Sequence, residues 1–162
     1  GSGGDSCQYC SSGFTCSFGS CQLDDNSRWD ILAVSAKVPK SDENSVFWDN
    51  RYNEPDGSAK ITVNGFSGRM KTGKTSVDEG DLTPFWYDTT VTGALAKDIK
   101  GYNNVTVELI DEDPWYAGGN TTISKCDIDF DAKHFGSSST TFDCKGSRPV
   151  DAEIKLRLTY HP

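Results

Sequence analysis

The stretch Val107-Glu-Leu-Ile-Asp-Glu-Asp-Pro-Trp-Tyr-Ala-Gly-Gly-Asn120 decides how the chain is read. With Val105 before it, the front half places Val107 and Leu109 on one side, the period-two signature of a half-buried strand. The strand then breaks into a loop carrying Asp111 and Asp113 two residues apart. Residues at i and i+2 of an extended chain point the same way, so the two carboxylates lie side by side. At a separation of ~4 Å and an effective dielectric of ~20 they repel by about 4 kcal/mol. Water, a basic side chain, a shared proton or a hard cation must offset that repulsion, and the loop holds no Lys or Arg. Calcium suits it best, because the ion takes about six to eight oxygens in a flexible cage of carboxylates and carbonyls. Trp115 and Tyr116 follow directly, at what reads as an exposed tip.

Other strands flank this one. Trp29 to Val38 is β-prone and reads as a mostly buried strand. Residues 39–57 form a long polar loop in which Phe47 and Trp48 precede Asp49 and which closes on Glu54-Pro55-Asp56-Gly57. Ser58 to Val63 alternates and ends at Asn64-Gly65, a tight-turn signal, before a polar partner strand over Arg69 to Ser76. A second loop, Asp78 to Pro84, leads into the aromatic strand Phe85-Trp86-Tyr87, and a loop or short helix follows around Ala94 to Ile99. Thr122 to Phe130, Thr141 to Lys145 and Ala152 to Tyr160 complete the set, the last alternating without a fault. No helical period of useful length interrupts them. Short strands at this spacing predict an all-β, antiparallel, eight-stranded sandwich. Trp29, Phe85, Trp86 and Phe130 are assigned to its core, and His134 and His161 to its surface.

Apolar residues fill 35% of the 162 positions, which supports one modest core and argues against disorder. A net charge of −8 excludes the basic face that nucleic acid requires. It would also repel an anionic bilayer, unless bound cations invert the sign locally. No run of ~20 apolar residues is present to span a membrane. Gly1-Ser2-Gly3-Gly4 reads as a cloning remnant, residues 5–27 as a Cys-rich segment and residues 28–162 as the sandwich domain.

Cys7, Cys10, Cys16 and Cys21 form a dense group, with Cys126 and Cys144 a distant pair. An even number at these spacings points to disulfides and an oxidising, secretory compartment. The segment 5–27 is too short to build a core and must be held by cross-links, in any of three connectivities. A four-thiolate zinc site is the competing reading, although Cys-x4-Cys suits it less well than Cys-x2-Cys. The segment serves as a stapled cap, with receptor binding as its alternative role. Asn104-Val-Thr and Asn120-Thr-Thr are glycosylation sequons that agree with secretion, the leader being expected to be gone from the mature chain.

Three motifs in order resemble the C2 domain, the calcium-dependent phospholipid-binding β-sandwich. Asp56-Gly-Ser-Ala-Lys-Ile-Thr-Val-Asn-Gly65 is similar to the segment in which an Asp ends the first loop and a strand follows. Thr75-Ser-Val-Asp-Glu-Gly-Asp-Leu-Thr-Pro-Phe-Trp86 resembles the stretch ending in Asn-Pro-x-Trp, with Thr83 in place of the usual Asn. Val107 to Asp113 resembles the strand and double Asp that open the third loop. The match spans roughly residues 28–160 and is nearest in motif to the C2 domain of perforin-like proteins. It implies a C2-type Greek key with Asp49 and Asp56 from loop one and Asp111 and Asp113 from loop three as calcium ligands. Glu54 and Asp42 are the alternatives to Asp49. Where the family often has a further Asp, the chain reads Gly118-Gly119-Asn120, so an amide takes that place. Asn120 cannot be both a bare ligand and a glycosylated residue beside the ion.

Function follows as an expectation: a secreted, monomeric, non-enzymatic module that binds calcium and docks on phospholipid. Phe47, Trp48, Trp115 and Tyr116 would anchor it, since aromatic rings favour the bilayer interface. The alternative is a calcium-independent secreted scaffold that binds protein or carbohydrate. No nucleophile elbow or phosphate-cradling Gly loop favours an enzyme.

Overall fold

The computed structural model describes residues 7–39, 55–66, 68–113, 119–144 and 152–162. Ten strands are present among them: β1 (Phe14–Ser17), β2 (Ser20–Leu23), β3 (Arg28–Lys37), β4 (Gly57–Val63), β5 (Lys71–Lys74), β6 (Phe85–Leu95), β7 (Gly101–Asp111), β8 (Thr121–Phe130), β9 (Thr140–Cys144) and β10 (Ala152–His161). One turn of helix, α1 (Ala96–Ile99), links β6 to β7. Eight of the strands make two four-stranded sheets, ordered β6-β3-β10-β9 and β5-β4-β7-β8, in which all strand pairs are antiparallel. The expected eight-stranded sandwich is therefore the fold.

Alternation places the core. β10 turns Ala152, Ile154, Leu156 and Leu158 inward, β4 Ala59, Ile61 and Val63, and β7 Val105, Val107 and Leu109. These meet Ile31 and Ala33 of β3 and Ile123, Ile128 and Phe130 of β8. Both open sides of the sandwich are closed by specific devices. On one side Gly73 of β5 lies so close to the Thr90 carbonyl of β6 that no Cβ would fit. On the other the buried Cys126–Cys144 disulfide joins β8 to β9, and so joins the two sheets.

The Cys-rich segment is a hairpin of β1 and β2, a pairing that no apolar period announced. Its turn, Phe18-Gly19, has φ of +50° and +83°, the left-handed pair that matches strand twist in a two-residue connection. The bridges are Cys7–Cys16 and Cys10–Cys21. No free cysteine is present among the described residues, so the zinc reading falls for want of thiolates. Phe14 packs edge-on against Trp29, which Phe135 and Tyr160 also meet edge-on. Gly13 sits against the same indole, leaving no room for a Cβ.

Three expectations need correction. The aromatic strand extends through Leu95, because its Thr-rich continuation is held by pairing with β3 rather than by its own alternation. Asn64-Gly65 is no two-residue turn but opens a longer connection, with φ of +56° at Gly65. Phe85 is not core: it is 63% exposed, since Trp86 faces inward and strand geometry turns its neighbours outward.

Candidate functional site

Sheet register builds the site. β4 and β7 run antiparallel with Gly57 opposite Asp111, so the residue before β4 and the residues after β7 meet at one end of the sheet. Asp111 continues the inward phase of Val107 and Leu109 and is fully buried. Asp56 and Asp113 are half-buried beside it. One carboxylate oxygen from each of Asp56, Asp111 and Asp113 lies within 4.8 Å of the others. The described ends of the first and third loops, Asp56 and Asp111 to Asp113, therefore lie together.

Backbone donors fix the arrangement. The Asp56 N–H donates to Asp111 Oδ1 at 3.0 Å, and the Glu112 N–H donates to the Asp56 carbonyl at 2.8 Å. Asp56 Oδ1 also accepts from the Gly80 N–H at 2.7 Å, tying in the second loop. That loop is further held by a two-way backbone pair between Gly57 and Asp78, and by Trp86, whose indole N–H donates to the Gly57 carbonyl at 3.1 Å. Asp78 Oδ2 accepts from the Phe85 N–H, and Asp81 Oδ1 from both the N–H and the hydroxyl of Thr83. The Thr83 bonds hold the Asp81 carboxyl below its usual range. Where the C2 motif that this stretch resembles has Asn, Thr83 stabilises the turn with an aspartate two residues ahead of it, a side-chain turn that the Asp-x-Thr spacing could have announced.

Glu112 points to the other face, away from the trio. Its Oε1 accepts from Ser58 at 2.8 Å and pairs with Lys74 at 2.5 Å. Burial pushes this carboxyl up, but Lys74, Ser58 and Asn120 together bring it below the ordinary glutamate value. The lysine thus neutralises the carboxylate next to the trio and not the trio itself, a division that sequence spacing could not show.

Asn120 stands at the foot of the third loop. Its Oδ1 accepts from the Asp113 N–H at 3.0 Å and its Nδ2 lies 3.5 Å from Glu112 Oε2. Asn104 is half-buried in β7, and its Nδ2 donates to the Lys100 carbonyl at 2.5 Å. Asp49, with Phe47, Trp48 and the alternatives Asp42 and Glu54, lies outside the described residues, as do Trp115 and Tyr116.

An all-oxygen set of three carboxylates fits a hard divalent cation and suits a soft one poorly. Asp56, Asp111 and Asp113 would hold it.

The sequence matches no protein-family model and no curated protein. Solved structures are similar in fold. A C2 domain of plant extended synaptotagmin 1 matches at a TM-score of 0.61 and 13% identity, over 86% of this chain and 97% of that one. A structure of CC2D1B matches at 0.60 and 14%, over 84% of this chain and 55% of the other. Human GIVD cytosolic phospholipase A2 matches at 0.56 and 13%, over 85% of this chain and 17% of the enzyme. The chain thus spans about half of one and about a sixth of the other. At these identities the likeness establishes fold: the chain is a C2-type β-sandwich. None of the three is a perforin-like protein.

Proposed function

We propose that the protein is a secreted, non-enzymatic C2 module that binds calcium through Asp56, Asp111 and Asp113 and docks its acidic end on phospholipid. The convergence of three carboxylates from two loops, one of them with no solvent access, carries this reading. Three disulfides support an oxidising, extracellular setting, where calcium near ~1 mM makes a site of 10⁻⁴–10⁻³ M affinity sufficient. Among the described residues no helix is long and apolar enough to cross a membrane, so association would be peripheral.

Bound calcium would supply positive charge and open coordination positions for lipid phosphate oxygens at an otherwise anionic end. The chain's own residues hold the carboxylates in place, with the Asp56, Gly80 and Glu112 amides as fixed donors and Asn120 at the base of loop three. Trp115 and Tyr116 follow Asp113 by two and three residues, and Phe47 and Trp48 precede Asp49, where interfacial aromatics would add anchoring. One of the structurally similar proteins is by name a phospholipase.

Co-sedimentation with phosphatidylserine vesicles, in calcium and then in chelator, tests the reading. Pelleting should require calcium and disappear in the Asp56→Asn, Asp113→Asn double variant. Pelleting that ignores both chelator and substitutions sinks it.

A further inference from the structure

Away from the acidic trio, the outer face of the β6-β3-β10-β9 sheet carries a second candidate site. Phe85 and Tyr87 are 63% and 49% exposed, and their rings stack with centroids 6.3 Å apart and planes 17° from parallel. Single exposed aromatics are ordinary, but a near-parallel pair on one strand makes a contiguous apolar patch. Two features fix it. Tyr87 has a φ of +51°, at an irregularity in the β3–β6 pairing, a conformation that a Gly or Asn would adopt far more readily. Arg157 of β10 donates to the Tyr87 hydroxyl at 3.1 Å.

The pairing extends the patch into a row of polar groups. Phe85 lies opposite Ser35, Ser35 opposite Lys155, and Lys155 opposite Thr141, so one line crosses all four strands. Three inter-strand spacings make it about 14 Å long. In the next row Lys37 lies opposite Glu153, and Glu153 opposite Asp143. A groove of about 240 Å³ runs along these residues, lined by Ser35, Lys37, Phe85, Thr141, Glu153 and Lys155. Lys37 and Lys155 flank Glu153 along the groove, with Arg157 and Asp143 on the same face, so cationic and anionic tips are interspersed and neither sign fills it alone. Hydroxyls and charged tips of both signs both donate and accept hydrogen bonds.

We propose that this face binds a neutral oligosaccharide. The apolar C–H face of a sugar ring would lie on Phe85 and Tyr87, and the hydroxyls of the next units would bond along Ser35, Lys155 and Thr141. An aromatic patch continued by a row of hydroxyls and interspersed charged tips, both donors and acceptors, matches a polyhydroxylated chain, with its apolar faces and polar rims. The site lies on a sheet face, uses none of the calcium-binding residues, and stands whether or not the acidic trio binds calcium.

The test is NMR titration of the isotope-labelled chain, in chelator, with laminarihexaose, chitohexaose and mannohexaose, and in parallel with phosphatidylcholine–phosphatidylserine vesicles. At least one sugar should shift backbone resonances confined to the neighbourhood of Ser35, Phe85, Thr141 and Lys155. Phe85→Ala should weaken that binding about tenfold, or ~1.4 kcal/mol. Tyr87→Asn should weaken it similarly while raising the melting temperature, because Asn accepts the left-handed backbone at lower cost. A tyrosine kept for stability alone would do the reverse. Absence of shifts with all three sugars, unchanged binding in both variants, or vesicles rather than sugars engaging this face would each overturn the proposal.

Discussion

Asp111 is fully buried, and its Oδ1 accepts from the Asp56 N–H at 3.0 Å. Its place is dictated by the phase of β7, which cannot turn Val107 and Leu109 inward without turning Asp111 inward too. Replacing it by Asn keeps an acceptor for the Asp56 N–H and removes the charge. The rise in melting temperature on adding calcium should then vanish. For a ~10⁻⁴ M site, 1 mM calcium stabilises by about 1.4 kcal/mol, or roughly 3–6 °C in a chain of this size, which scanning calorimetry with and without chelator reads directly. Asp98 is buried for a different reason. Arg69 grips it with bonds of 2.8 and 2.9 Å, and these bonds, against the opposing effect of burial, hold its carboxyl below the usual aspartate range. A lowered folded-state value gives stability that is present above the unfolded value of ~3.9 and is lost as pH falls through the folded one. Arg69→Met reverses the shift by leaving the carboxylate buried without its cation. Urea unfolding should therefore show the largest deficit near pH 7 and a shrinking one below about pH 4. A deficit that grows toward acid would mean that Arg69 acts through packing alone.

At the scale of elements, the two open sides of the sandwich depend on different chemistry. Gly73→Ala forces β5 away from the Thr90 carbonyl of β6, and since that is backbone it cannot swing aside. A loss of about 1–3 kcal/mol is expected from urea midpoints, the usual range for overpacking. On the far side Cys126 and Cys144 close a loop with a sequence separation of 18. Their joint replacement by Ala should cost roughly 3 kcal/mol by loop entropy. Much of this architecture was legible beforehand. β8 and β10 announced themselves by alternation, and the acidic loops by the spacing of Asp111 and Asp113 and by the Asp56-Gly57 strand start. The misses share a cause: their answer lies on another strand. In Phe85-Trp86-Tyr87 any phase of alternation is chemically plausible, and only the pairing of Ser35 with Phe85 and the bond from Trp86 to Gly57 decide that Trp86 goes in. The β1–β2 hairpin has no apolar period because its cross-links replace a core. The Lys74–Glu112 pair joins residues 38 positions apart and leaves no local trace.

At the scale of the whole molecule, β3 is the axle. It runs from Arg28 and Trp29, where the Cys-rich hairpin packs, to Lys37 and Val38, which lead to the second loop through the bond from the Val38 N–H to the Leu82 carbonyl. Nine steps along a strand place the hairpin about 30 Å from the acidic end. Energetic coupling over that span would need a two-state element between the ends, whereas the strand is paired on both sides with β6 and β10. The ends should therefore behave independently. Replacing Cys7, Cys10, Cys16 and Cys21 together by Ser releases the hairpin and uncovers the edge of Trp29 that Phe14 and Gly13 protect. Melting should begin at lower temperature, and Trp29 fluorescence should shift to the red as water reaches the indole. Calcium affinity, followed by isothermal titration well below the melting range, should stay within about twofold of the parent. A larger fall in affinity would show that the two ends are coupled, and that the hairpin helps to hold the acidic loops rather than capping the opposite end.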